Sequence, residues 1–259
     1  LPRNADADTV AAAGLPPADM VEIIRSQGGL TSFNHLFGTG SARECPQTDP
    51  APRIRAVTDT LLANRAFGAD LLEIGYICRG NADLDTHLRT WDILTANRLF
   101  LIGTGVTDTH GNAWGAAMLP NPFSTWVLAV ADERAALLDG LRAGHAYFGN
   151  QFLWDGRFGF SVGQAQMGET LLTTRSTTEL TYTLDPLPTD ARVYLVQGQL
   201  DPADTYTVDY LQDRTDITAT QNVSLATSGS SFVRLEVYLE SPGAAPVPLM
   251  FSNVVLINP

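Results

Sequence analysis

Hydrophobic spacing along the chain changes rhythm once. Over residues 1–157, stretches with helical spacing alternate with short apolar runs of strand type. Pro17 to Gly28 carries Pro near its start, Met20, Ile23 and Ile24 on one face, and Gly28 and Gly29 as the stop, which predicts a short helix. A strand over 30–35 follows and is broken by Leu36-Phe-Gly-Thr-Gly-Ser into a loop that runs through Pro46, Pro50 and Pro52. The spacing then predicts helices over 54–67 and 84–97, strands over 70–76 and 99–104, and a helix over 132–144 with acids in its first turn and Gly144 at its end. Such α/β units imply a parallel sheet or barrel with functional groups at the C-terminal ends of the strands.

From about Phe158 the texture is different. Glu179-Leu-Thr-Tyr-Thr-Leu, Arg192-Val-Tyr-Leu-Val-Gln, Asn222-Val-Ser-Leu-Ala, Phe232-Val-Arg-Leu-Glu-Val-Tyr-Leu and Asn253-Val-Val-Leu-Ile alternate or run apolar between Gly, Pro, Asp and Ser turns. They predict an antiparallel β-sandwich over 158–259, behind an α/β unit over 1–157.

Composition then narrows the partners. A net charge of −12 and a pI near 4.6 disfavour nucleic acid and anionic membranes. All 16 basic residues are arginine, so Schiff-base and lysine-nucleophile chemistry are excluded. No apolar run approaches the ~20 residues that span a bilayer. Cys45 and Cys78 are too few for a disulfide framework and are not spaced as a metal knuckle; a single bridge between them stays open. The opening Leu-Pro-Arg-Asn-Ala-Asp has neither Met nor a leader pattern, so a start further upstream and a secreted or periplasmic setting are expected.

The sharpest chemical feature is Gly103-Thr-Gly-Val-Thr-Asp-Thr-His110, where Asp108 and His110 follow a buried strand. In an extended segment, side chains two apart lie on one side, so this carboxylate and imidazole can face one cation; a turn Asp and a surface His are the plainer alternative. His35 falls at a second strand end, where it either caps the strand or joins a metal site built from several strand ends. Glu73 lies within an apolar strand, which calls for a paired cation or an arginine. Arg43 and Arg79, on loops near the strand ends, are candidates for an anionic substrate group. His87 reads as a solvated helix residue beside Arg89 and Asp92, and His145, just after Gly144, as a cap or a cleft residue. There is no Gly-x-Ser-x-Gly elbow, P-loop or dinucleotide fingerprint.

Several of these stretches together resemble the later motifs of the PHP superfamily of metal-dependent hydrolases, in its carbaryl-hydrolase-like branch. Gly28-Gly-Leu-Thr-Ser-Phe-Asn-His35 is similar to the family's strand ending in a metal-binding His, with Leu36 where Pro is usual. Leu71-Leu-Glu-Ile, the stretch from Trp91 to His110, the stretch from Ala135 to Tyr147 and the closing Phe232–Val237 and Phe251–Leu256 segments resemble successive family motifs.

The resemblance implies an α/β fold, part of a distorted (β/α)7 barrel followed by a β-sandwich. It also implies His35, Asp108 and His110 as metal ligands, with Glu73 and His145 near the chemistry. Two or three zinc, manganese or iron ions would activate water against a small ester, amide or phosphoester substrate. The family's opening His-x-His pair has no counterpart here. Two readings follow: a hydrolase whose remaining ligands come from a second fragment or a neighbouring chain, or a non-catalytic remnant that presents its sandwich to a carbohydrate or protein.

Overall fold

Strands and helices alternate through the first half because parallel neighbours need a crossover, here a helix, to carry the chain back. A computed structural model of the chain describes residues 14–39, 45, 48–109, 121–220 and 222–258. It is a mixed α/β protein whose sheets are mostly antiparallel. Helix α1 (Pro17–Ser26) leads to strand β1 (Ser32–Phe33), α2 (Ala51–Ala63) to β2 (Leu71–Gly75), and α3 (Leu84–Ala96) to β5 (Ile102–Gly105). Between β2 and α3 lies a small hairpin, β3 (Cys78–Arg79) and β4 (Ala82–Asp83).

The three main strands pair in parallel in the order β1-β2-β5. Among the described residues they form an open sheet and close no barrel. β1 has only two residues where six were expected, since His35 turns the backbone into the left-handed region at φ 55°.

The second half is built around an eight-stranded sheet. β6 (Phe123–Val127) leads through α4 (Arg134–Arg142) to β7 (Ala146–Asn150). Beyond β8 (Arg157–Val162) and β9 (Ala165–Gln166) come β10 (Thr170–Leu172), β11 (Thr177–Asp185) and β12 (Ala191–Gln199). The chain then forms β13 (Tyr210–Asp216), β14 (Asn222–Ala226), β15 (Ser231–Leu239), β16 (Val247–Ser252) and β17 (Val255–Asn258).

The large sheet runs β10-β17-β15-β16-β7-β6, with β12 also on β15 and β13 on β12, and it faces a four-stranded sheet, β14-β11-β8-β9. The expected division at 157/158 falls within the first residues of β8, and the large sheet spans it through the β7–β16 pairing. Position 158 is therefore no gap in packing.

The large sheet is a middle layer. Val233, Leu235 and Val237 of β15 enter the sandwich core with Phe158, Phe160 and Leu180, whereas Phe232 and Tyr238 join Leu72, Ile74, Trp91 and Phe148 on the α/β side. Alternation along one strand thus feeds two cores. The outer edge of β5 is closed by side chains: Asn253 bonds both Gly103 N–H and its carbonyl, at 2.7 and 3.1 Å, and Thr125 Oγ1 accepts from Gly105 N–H at 3.0 Å. Such capping leaves no free strand edge there. On the other side, the β2–β5 pairing needs a bare backbone, because a Cβ on Gly75 would come within 2.6 Å of the Gly105 Cα.

Two charged residues sit within the buried β15 and tie helix α3 to the large sheet. Arg234, 2% exposed, donates from Nε and Nη2 to the two carboxylate oxygens of Asp92 on α3, at 2.7 and 2.8 Å, and from Nη1 to Glu236 at 2.6 Å. Tyr210 donates to Asp92, and Arg214 and Tyr238 donate to Glu236. Burial alone would raise the Glu236 carboxyl, but Arg234 and Arg214 more than offset it and hold the group below its ordinary range.

Removing one partner of such a pair strands a buried charge. Arg234→Met is expected to destabilise the fold by roughly 3–5 kcal/mol, read as a shift in the urea midpoint at unchanged slope; a loss below about 1 kcal/mol would show the network to be dispensable.

Candidate functional site

The C-terminal ends of β1, β2 and β5 bring His35, Glu73 and Asp108 together. His35 lies two residues past β1, Glu73 inside β2 and Asp108 three residues past β5. Glu73 Oε2 lies 3.3 Å from His35 Nδ1, and Asp108 Oδ1 lies 4.0 Å from His35 Nε2. His35 and Asp108 both hold left-handed backbone, at φ 55° and 53°. That region is uncommon for residues other than Gly, costs free energy, and concentrates at functional sites.

Tyr76, absent from the sequence-level candidates, organises this cluster. Its hydroxyl donates to Glu73 Oε2 at 2.5 Å, and its oxygen lies 3.1 Å from His35 Nδ1. Burial first, and then the bond to Glu73, push the phenol well above its ordinary pKa, so Tyr76 keeps its proton. With that proton directed at Glu73, Tyr76 Oη can only accept from His35 Nδ1–H. The neutral imidazole therefore keeps its lone pair on Nε2, on the side of Asp108. A hydrogen bond that fixes the tautomer in this way is the usual support of a metal-binding histidine.

Arg79 closes the cluster. Its Nη2 forms an ion pair with Asp108 Oδ2, both side chains being 9% exposed, while its Nε has no hydrogen-bond partner among the described residues. The residue rides on the β3–β4 hairpin, whose two-residue turn, Gly80-Asn81, has φ 58° and 59°. Two positive φ values are what a type I′ hairpin needs, and Gly-Asn between short strands is its sequence signal.

Several contacts anchor this hairpin. Arg53 donates to the carbonyls of Phe37, Gly80 and Asn81. The Cys45–Cys78 disulfide, left open from sequence, joins the preceding loop to the residue beside Arg79. Asn121 accepts from Ile77 N–H and donates to the carbonyls of Gly75 and Val106, tying the ends of β2 and β5 together.

The other candidates fall elsewhere. Arg43 and His110 lie outside the described residues. His145 does not join the cluster; it follows Gly144, where a Cβ would sit 3.6 Å from Ile102, the first residue of β5, so it lies at the opposite end of the parallel sheet. Its Nε2 is 3.3 Å from Glu169 Oε1, and it lines a separate hollow of about 260 Å³ with Ser161, Gln166 and Thr181.

His87 corrects a sequence expectation, because it is fully buried. The Asp83 carboxylate caps α3 by accepting from Thr86, and the Asp83 carbonyl accepts from His87 Nδ1 at 2.9 Å. The ring packs edge-on to Phe37 and against Tyr76, which explains why an imidazole sits inside.

The donor chemistry at the strand ends suits a divalent cation in part. An imidazole nitrogen and a carboxylate oxygen face each other 4.0 Å apart, a span that both can bridge at ~2.0–2.2 Å each with a small closure. No complete group of three His, Cys, Asp or Glu ligands is found among the described residues. Comparison with protein-family models, with curated proteins and with solved structures gives no match.

Burial lowers the His87 pKa to about 4, against 6.5 in the unfolded chain. Between these values the unfolded state binds more protons than the folded one, so stability falls as pH drops from 6.5 to 4, by about 3 kcal/mol in total. His87→Leu, which takes up no proton, is expected to remove this component from a pH series of urea unfolding curves. An unchanged slope over that window would place the acid sensitivity in other groups.

Proposed function

We propose that this chain carries one side of the metal centre of a PHP-type metal-dependent hydrolase, acting on small ester, amide or phosphoester substrates. The observation that carries this reading is the convergence of His35, Glu73 and Asp108 on one edge of a parallel sheet, with His35 and Asp108 in left-handed backbone and the Nε2 of His35 turned toward Asp108. On this reading the α/β layer belongs to a PHP-like distorted barrel, and zinc, manganese or iron is the cofactor.

A divalent cation held there would lower the pKa of a bound water toward neutrality, which supplies the nucleophile. The chain's own residues divide the remaining work. His35 and Asp108 would hold the cation, with His110, outside the described residues, as the third ligand. Tyr76 keeps its proton directed at Glu73 along the 2.5 Å contact, and its oxygen holds His35 in its ligating tautomer. Arg79 brings a positive charge to the edge where an anionic substrate group would lie. His145, at the far end of the sheet, takes no part in this chemistry. The disulfide supports a secreted or periplasmic setting, since such bridges persist in oxidising compartments.

A second reading rests on the same ion pair. A guanidinium seated on Asp108 satisfies that carboxylate without metal, as expected of a non-catalytic remnant that serves as a binding module.

The two readings differ in metal content. Under the hydrolase reading, purified protein retains zinc, manganese or iron by elemental analysis, and both His35→Ala and Asp108→Asn lose at least one equivalent while keeping their thermal transition. Protein that is metal-free as isolated and shows no uptake on dialysis against these ions would leave the binding module standing.

A further inference from the structure

Arg79 is a poorly satisfied cation. A guanidinium offers five N–H donors, yet this one is buried, pairs with Asp108, lies over the Tyr76 ring at 5.8 Å, and leaves Nε without a hydrogen bond among the described residues. Such a group is costly to bury unless something compensates it. The charged part of the compensation comes from the carboxylate that the hydrolase reading assigns to a metal. A second cation at Asp108 would face the guanidinium charge across a few ångströms of protein, where repulsion between like charges is strong.

The position of Arg79 also suits a movable part. It stands on a two-residue hairpin, and the anchors of that hairpin hold its backbone: Arg53 on the Gly80 and Asn81 carbonyls, and the disulfide on Cys78. The long side chain itself is held at its tip.

We propose that Arg79 is an internal counter-ion that occupies Asp108 in the metal-free protein and must leave for a divalent cation to enter, so that the β3–β4 hairpin regulates loading of the site. The proposal rests on the metal-binding reading. Left-handed backbone at both His35 and Asp108 keeps these groups in place, and the exchange is then one of cations, guanidinium for metal, without rebuilding the strand ends. A charge-bearing variant retains the competition and a neutral one removes it.

Titration of the full chain with Mn²⁺, followed by the electron paramagnetic resonance signal of free ion, reads the exchange without any substrate. Arg79→Gln is expected to bind Mn²⁺ at least tenfold more tightly than wild type, Arg79→Lys within about threefold of it, and Arg79→Gln combined with Asp108→Asn not at all. In the wild-type chain, saturating Mn²⁺ should speed phenylglyoxal labelling of Arg79, read by peptide mass mapping; this arm does not depend on how any variant folds.

If wild type and Arg79→Gln bind equally well, or labelling of Arg79 is unchanged at saturation, the counter-ion role is overturned and the metal-binding reading survives. Absence of Mn²⁺ binding in folded wild type and folded Arg79→Gln alike would overturn both.

Discussion

The register of helix α3 on the large sheet is set by one bidentate ion pair, Asp92 with Arg234. Helix α3 has to lie on a sheet that is already committed on its other face to the sandwich, and a purely apolar contact would not fix where along the sheet it lies. A guanidinium fork on a carboxylate does, because both distances and the plane are set together. Glu236, Arg214, Tyr210 and Tyr238 complete the hydrogen bonds, so the charges are buried as a satisfied set. With α3 fixed, Trp91 donates to the Leu101 carbonyl beside β5, and the strand ends that carry the cluster keep their spacing.

Much of the local structure was legible because local signals and tertiary context agreed. Pro17 and the Gly28-Gly29 pair bracket α1 closely, and the apolar run Leu71–Gly75 is β2. Legibility failed where a neighbour outweighed the local pattern. β16 contains Pro248 and β13 is largely polar, so neither reads as a strand alone; pairing with β15 and β12 makes them strands. The change of texture near residue 158 is real, yet it marks a change of partner sheet. The strand that bridges it, β16 onto β7, joins segments about a hundred residues apart, as its register of Met250 with Gly149 shows.

For the site, strand-end logic alone placed His35, Glu73 and Asp108 on one edge. The same logic could not find Tyr76, whose role depends on its hydroxyl meeting side chains from two strands, Glu73 and His35. The Gly80-Asn81 turn was available as a hairpin signal, and it would have brought Arg79 onto the strand ends as a consequence of geometry. His87 was misjudged, and the place of His145 was not legible, for one reason: a helix position and a post-helix glycine say nothing about what packs over them. Phe37 and Tyr76 bury the first, and Gly168, packed against Gly144, carries the second to the far end of the sheet.

The bond between Asn253 and Gly103 joins residues 150 positions apart. Loops of that length close late, since their entropy has to be met before the contact gives anything back. During synthesis, the segment that carries Asp108 leaves the ribosome well before the side chain that caps its strand. The β5 edge is then left unpaired for the interval, at ~5–20 residues per second. Assembly of the strand ends is thereby coupled to docking of the final strands, and a chain stalled or cut short in its last turn would present an unfinished edge together with an unfinished site.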